Sequence, residues 1–179
     1  MRLRAVNTDV VKLDVETLVI TFFEDERPLK GQAGLADWRL CGAVSQLIID
    51  RRIDGYVGEK ILFPMSHRMK CDKILAIGLG PSSAFGDEAY SRICRIVADS
   101  MFKLRCLAFS ISLPGSIIEG FDSGAATARL CEEIGDRYRV DRKMFEDLNL
   151  VILVDSHKLK DTVPIATKYE LRFNEELRI

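Results

Sequence analysis

Two short glycine-bearing stretches carry the residues whose types and spacing could hold a charged ligand. Gly78-Leu79-Gly80-Pro81-Ser82 follows an apolar run, and Pro114-Gly115-Ser116 leads through Ile117, Ile118 and Glu119 to Gly120. Glycines between a strand and a helix can present backbone N–H groups to a phosphate, and the positive end of the following helix favours an anion there. Gly78, Gly80, Ser82, Gly115, Ser116 and Gly120 are therefore the candidate ligand-binding residues, with Ser116 adding a hydroxyl. The plainer alternative is that these glycines make tight turns that need positive φ. A single G-x-G does not decide between the two, but both loops would flank one crevice.

Other reactive side chains form no comparable group. Cys41, Cys71, Cys94, Cys106 and Cys131 are odd in number, widely spread and without a C-x-x-C pair, so they read as reduced and mostly buried small hydrophobes. The two histidines, His67 and His157, are too far apart to suggest a zinc site. His67 and Cys71 would share a face only in a helix, and Pro64 argues for a turn. No metal and no cofactor is expected. Asp37, acidic on an otherwise apolar helix face, reads as a helix cap or a solvated residue rather than a ligand contact, and Trp38 reads as a core or interface anchor. Arg137, Arg139, Arg142 and Lys143 make a basic cluster interrupted by Asp136 and Asp141, which suits a solvated helix end or a protein contact.

The elements that would position these residues alternate between strand and helix. Arg2 to Leu13 suits an outer strand or strand pair, and Thr17 to Phe23 is β-branched, aromatic and apolar nearly throughout. Leu35, Trp38, Cys41, Val44, Leu47 and Ile48 recur at helical spacing, predicting one helix of about four turns. Lys60 to Pro64 and Lys73 to Gly80 follow as strands, the second central. A helix capped by Asp87 carries Ala89 to Met101, and Cys106 to Ile111 is the next strand. A helix capped by Asp122 or Ser123 carries Ala126, Leu130, Ile134 and Tyr138. The strand Leu148 to Val154 precedes a helix from about Ser156 to Tyr169, and the charged tail, 170–179, is expected to fray. This alternation predicts a three-layer α/β/α domain with a mixed, mostly parallel sheet, one domain over 1–179 without repeats or linkers.

Composition narrows the class of partner. At 179 residues with 26 Lys plus Arg against 27 Asp plus Glu, the net charge is -1, which gives no reason to expect nucleic acid and slightly favours self-association. Met1-Arg2-Leu3-Arg4 is not followed by the apolar core of a signal peptide, and no apolar run approaches the ~18 residues of a membrane helix. A cytoplasmic protein with no membrane partner is expected.

Several segments in order resemble a known family. Leu29-Lys30-Gly31, Leu35-Ala36-Asp37, Gly42, Gly55-Tyr56-Val57-Gly58-Glu59 and Ile74 to Gly80 are similar to the amino-terminal domain of the leucyl aminopeptidase (M17) family, and Glu133 to Lys143 resembles the close of that domain's last long helix. The resemblance implies a macro-domain-like fold. Ile77 to Pro81, Ala108 to Ser112 and Gly115 to Gly120 before Ala125-Ala126 also resemble the order of strands and ligand loops in ADP-ribose-binding macro domains. The double glycine of the first ligand loop and the Ser-Thr-Gly before an aromatic in the second do not occur in this sequence. The family's metal ions and catalytic lysine and arginine lie in a carboxy-terminal domain, so none of its catalytic residues can be placed on this chain.

Those considerations predict a non-catalytic domain acting in assembly, as a homo-oligomer or with another protein subunit. A macro-like domain binding or hydrolysing an ADP-ribose or nucleotide-type small molecule is the alternative from a different class. A fragment or accessory part of an M17 metallo-aminopeptidase is the third.

Overall fold

The computed structural model describes residues 1–65 and 69–178. His67, and with it the expected turn before Cys71, lies outside the described residues. Six strands form one sheet in the order β1-β6-β5-β2-β4-β3, comprising β1 (Arg2–Val6), β2 (Val15–Phe22), β3 (Lys60–Pro64), β4 (Cys71–Gly78), β5 (Ala108–Ser112) and β6 (Asn149–Leu153). Every neighbouring pair is parallel except β3 with β4. The sheet is thus mixed and mostly parallel, as the alternating pattern predicts.

The period-two alternation of each interior strand divides the core into two layers. Val19, Leu75, Ile77, Phe109, Ile111, Leu150 and Ile152 point to one face, where α3 (Asp87–Lys103), α4 (Ser123–Tyr138), α5 (Arg142–Asp147) and α6 (Leu159–Glu176) cover them. Leu18, Ile20, Phe22, Ile74, Ala76, Val151 and Leu153 point to the other, under α1 (Gly31–Arg39) and α2 (Ala43–Ile49). This is the expected three-layer α/β/α arrangement.

The structure corrects the sequence reading in several places. Val10–Lys12 is a turn of 3-10 helix, so only Arg2–Val6 makes the outer strand. β4 lies one position from the sheet edge; β5 and β2 occupy the centre. The single helix expected from Leu35 is two helices, because Cys41 and Gly42 both take positive φ, 57° and 80°. Asp37 stabilises that break: its carboxylate accepts from Val44 N at 2.8 Å, Ser45 N at 3.1 Å and Ser45 Oγ at 2.5 Å, capping α2 from within α1. Trp38 is 69% exposed, which removes the core half of its expectation.

Of the two candidate caps for α4, Asp122 does the work, accepting from Ala125 N at 2.9 Å. Asp87 opens α3 but Gly86 occupies the cap position, without a side-chain bond. The segment read as a solvated helix end contains a corner: Asp141 caps the short α5 through Met144 N at 3.1 Å. The charged tail is helical to Glu176 rather than frayed. Phe173 is fully buried, and Arg139 holds Glu176 through two bonds of 2.8 and 3.1 Å. Charges placed by a corner of α4 thus fasten what composition alone marks as loose.

Candidate functional site

In an open α/β sheet the ligand crevice lies beyond the carboxyl ends of the strands. Here β2, β4, β5 and β6 end around a cavity of only about 60 Å³, lined by Phe23, Leu79, Leu113, Leu153, Val154 and the first turn of α1. Lys158 reaches across it to donate to the Ser116 carbonyl, and its ammonium lies 5.4 Å from the Phe121 ring. Glu26, buried at the rim, accepts from Phe23 N at 3.2 Å and Lys30 N at 2.6 Å, so both carboxylate oxygens are used in shaping the 23–30 loop.

The two glycine loops have different tasks. Gly78 N donates to the Glu59 carbonyl at 2.9 Å and Gly80 N to the Gly55 carbonyl at 2.8 Å, so both N–H groups are committed to backbone. A Cβ at Gly78 would stand 2.3 Å from the Tyr56 carbonyl oxygen, and one at Gly80, where φ is 77°, 2.4 Å from Val57 Cγ2. These glycines let the 55–59 segment cross the end of β4 in close contact. Ser82 bonds Asp25 through its N at 3.0 Å and its Oγ at 2.6 Å, and these bonds hold the Asp25 carboxyl below the ordinary carboxylate range. An anion at Ser82 would meet that carboxylate.

Gly115 and Ser116 do line the narrow cavity, and Gly115 at φ 71° leaves room for Phe85, whose Cε1 would be 2.3 Å from an added Cβ. Gly120, at φ 74° with open space around its Cα, lines a separate cleft of about 390 Å³ between the starts of α3 and α4. The six candidates therefore do not meet in one crevice. Ser82 borders a third hollow of about 340 Å³, with Asp25, Glu26 and Lys30.

Glu26, Gln32 and Lys158 also line the cavity, although neither their types nor their spacing in the sequence marks them. Glu26 sits in a run of charges that reads as surface; the only local hint is its four-residue spacing to Lys30, whose N–H it accepts. Gln32 Oε1 is buried without a partner, and the N–H groups of Gly31, Gln32 and Ala33 at the start of α1 find no acceptor among the described residues.

The buried thiols among the described residues are not activated. Burial pushes the Cys94 thiol up to about 12 and that of Cys106 up to about 11, and raises Cys71 and Cys131 as well. Among the described residues no group of three or more His, Cys, Asp or Glu side chains could hold a metal ion, and no helix is long and apolar enough to cross a membrane.

Comparison with known proteins adds the family context. Residues 19–142 match the family model described as "Cytosol aminopeptidase family, N-terminal domain". A probable cytosol aminopeptidase of Cyanothece sp. is 28% identical over 114 residues, 64% of this chain and 23% of that relative. The chain thus spans about a quarter of the length of that curated relative. Among solved structures, a mutant of tomato leucine aminopeptidase superposes with a TM-score of 0.64 at 19% identity, covering 95% of this chain and 35% of the other. A macrodomain of Trypanosoma brucei in complex with ADP gives 0.71 at 13% identity, covering 92% and 68%. Both likenesses are of fold, and they agree with the macro-like three-layer architecture.

Proposed function

We propose that this chain, which belongs to the cytosol aminopeptidase family as a counterpart of its N-terminal domain, is a non-catalytic assembly domain that associates with itself or with another protein subunit. One observation carries the reading. Trp38, the only tryptophan of the chain, stands 69% exposed on α1 beside Leu35, which is 47% exposed and one helical turn away. Aromatic side chains bury on the order of 150–250 Å² when packed, so a tryptophan presented to solvent on a helix face is a strong candidate anchor for a partner. The strand-end cavity, at about 60 Å³, falls below the roughly 300–1,000 Å³ usual for small-molecule pockets, while the adjoining hollow at Asp25, Lys30 and Ser82 reaches about 340 Å³. Size-exclusion chromatography with light scattering, on the chain alone and mixed with a full-length cytosol aminopeptidase, tests it. A mass above one chain for the chain alone, or a complex heavier than the aminopeptidase alone in the mixture, is expected; a single-chain mass alone together with an unshifted aminopeptidase in the mixture contradicts it.

A specific feature favours a second, ligand-binding reading. The uncapped first turn of α1 and the lining lysines Lys30 and Lys158 suit a small anion such as the phosphate of an ADP-ribose-type ligand. Opening would require Lys158 to leave the Ser116 carbonyl. Calorimetry with ADP-ribose, ADP and inorganic phosphate tests this reading: saturable heat supports it, and none at millimolar ligand removes it.

A further inference from the structure

The assembly reading leaves the partner's surface open, and the chain carries two features that complement each other. The first is a knob on α1. The Arg39 guanidinium lies 4.7 Å from the centre of the Trp38 ring, so an exposed aromatic face and a cation are presented together. Among the described residues the acidic partner of Arg39 is Asp9, at 4.0 Å. Arg51 and Arg52, just past the end of α2, are exposed and form no ion pair among the described residues.

The second is the cleft of about 390 Å³ between the starts of α3 and α4. Its wall is aromatic: the Phe85 and Tyr90 rings are 6.3 Å apart and the Tyr90 and Phe121 rings 6.0 Å. Its rim is acidic, with Asp87, Glu119 and Asp122. Asp122 is engaged in capping α4, while Asp87 and Glu119 have no ion-pair partner among the described residues. The one basic residue lining the cleft, Arg129, already pairs with Glu132 at 3.6 Å.

Resting on the assembly reading, we infer that the Trp38–Arg39 knob of one copy seats in the Phe85–Tyr90–Phe121 cleft of a second copy, with Arg39 meeting the acidic rim. The occupant is a copy of this chain because the chain itself supplies the complementary aromatic and charge. The knob belongs to the α1–α2 layer and the cleft to the α3–α4 layer on the opposite face of the sheet, so a chain cannot satisfy its own cleft. The contact is therefore head-to-tail rather than two-fold. Repetition gives a ring where the rotation closes and a filament where it does not.

Sedimentation across a concentration series tests the contact with the wild type, Trp38→Ser and Glu119→Lys. Both substituted residues are exposed, so circular dichroism and melting should match the wild type. Association of the wild type should rise with concentration, and each variant should associate about tenfold or more weakly. An equimolar mixture of the two variants should recover a one-to-one pair, because the intact cleft of Trp38→Ser accepts the intact knob of Glu119→Lys. An oligomer that survives either substitution, or a mixture that fails to pair, overturns the knob-and-cleft contact and leaves assembly standing on another surface. A wild type that never associates also overturns the contact; the assembly reading then falls only if the full-length aminopeptidase also fails to bind the chain.

Discussion

A methyl group at position 78 has nowhere to go: the Tyr56 carbonyl oxygen would lie 2.3 Å from it and the Gly55 carbonyl carbon 2.4 Å, both backbone atoms that cannot swing aside. Gly78→Ala should therefore cost roughly 3 kcal/mol, the upper end of overpacking, as read from urea denaturation; a loss too small to detect would show that the 55–59 segment yields freely. The same residue shows what a sequence can convey at this scale. Its glycine marks a constraint on the backbone, but whether the neighbour is a phosphate or a crossing chain depends on contacts more than twenty positions away. The thiols make a second residue-scale prediction. Burial holds Cys94 near 12 and Cys106 near 11 and raises Cys71 and Cys131, whereas Cys41 is exposed. A thiol reagent at pH 8 should label one of the five cysteines quickly and the other four only on unfolding; rapid labelling of several would mean that the α3–α4 layer opens readily.

The strands were legible as elements because β-branched and apolar runs of five to eight residues have few alternatives, and all six are present near their expected positions. The break between α1 and α2 was not. The apolar spacing runs on through Cys41, a residue with no preference for positive φ, and only Asp37 folding back to Val44 N and Ser45 N makes the turn favourable. Asp37→Ala should cost about 2 kcal/mol by removing that buried cap, with amide exchange rising first in α2; unchanged exchange in α2 would contradict its role. The helical end of α6 is hidden from the sequence for a related reason, since its Glu176 carboxylate is satisfied by Arg139 on another element. The hydrogen bond from Arg139 holds the Glu176 carboxyl below its usual 4.5. A carboxyl so lowered contributes stability above the unfolded value and loses it as pH falls through the lower, folded one. Acidification below about 4 should thus loosen the last turn of α6 by no more than about 1 kcal/mol, because the pair is partly exposed. Protection of the Leu177 amide, taken relative to its intrinsic exchange rate at each pH, that stays constant down to pH 2 would contradict this.

For the molecule as a whole, the family resemblance and the three-layer fold were carried by glycine and helix landmarks in order, and the match over residues 19–142 bears that out. The candidate site was less legible. Of its six residues only Gly115 and Ser116 reach the strand-end cavity, because long-range backbone bonds absorb Gly78 and Gly80, Asp25 takes Ser82, and Gly120 faces another cleft. The strand-end cavity is lined by apolar side chains and bridged by the Lys158 bond to the Ser116 carbonyl, and a shared fold does not by itself carry a ligand site. At this scale we propose that the domain works through a protein surface. Sedimentation velocity of the wild-type chain from micromolar to millimolar concentration, with and without saturating ADP-ribose, tests it most directly. Association that grows with concentration and is indifferent to ADP-ribose is expected. A single-chain species at every concentration that also fails to co-sediment with a full-length cytosol aminopeptidase would contradict it.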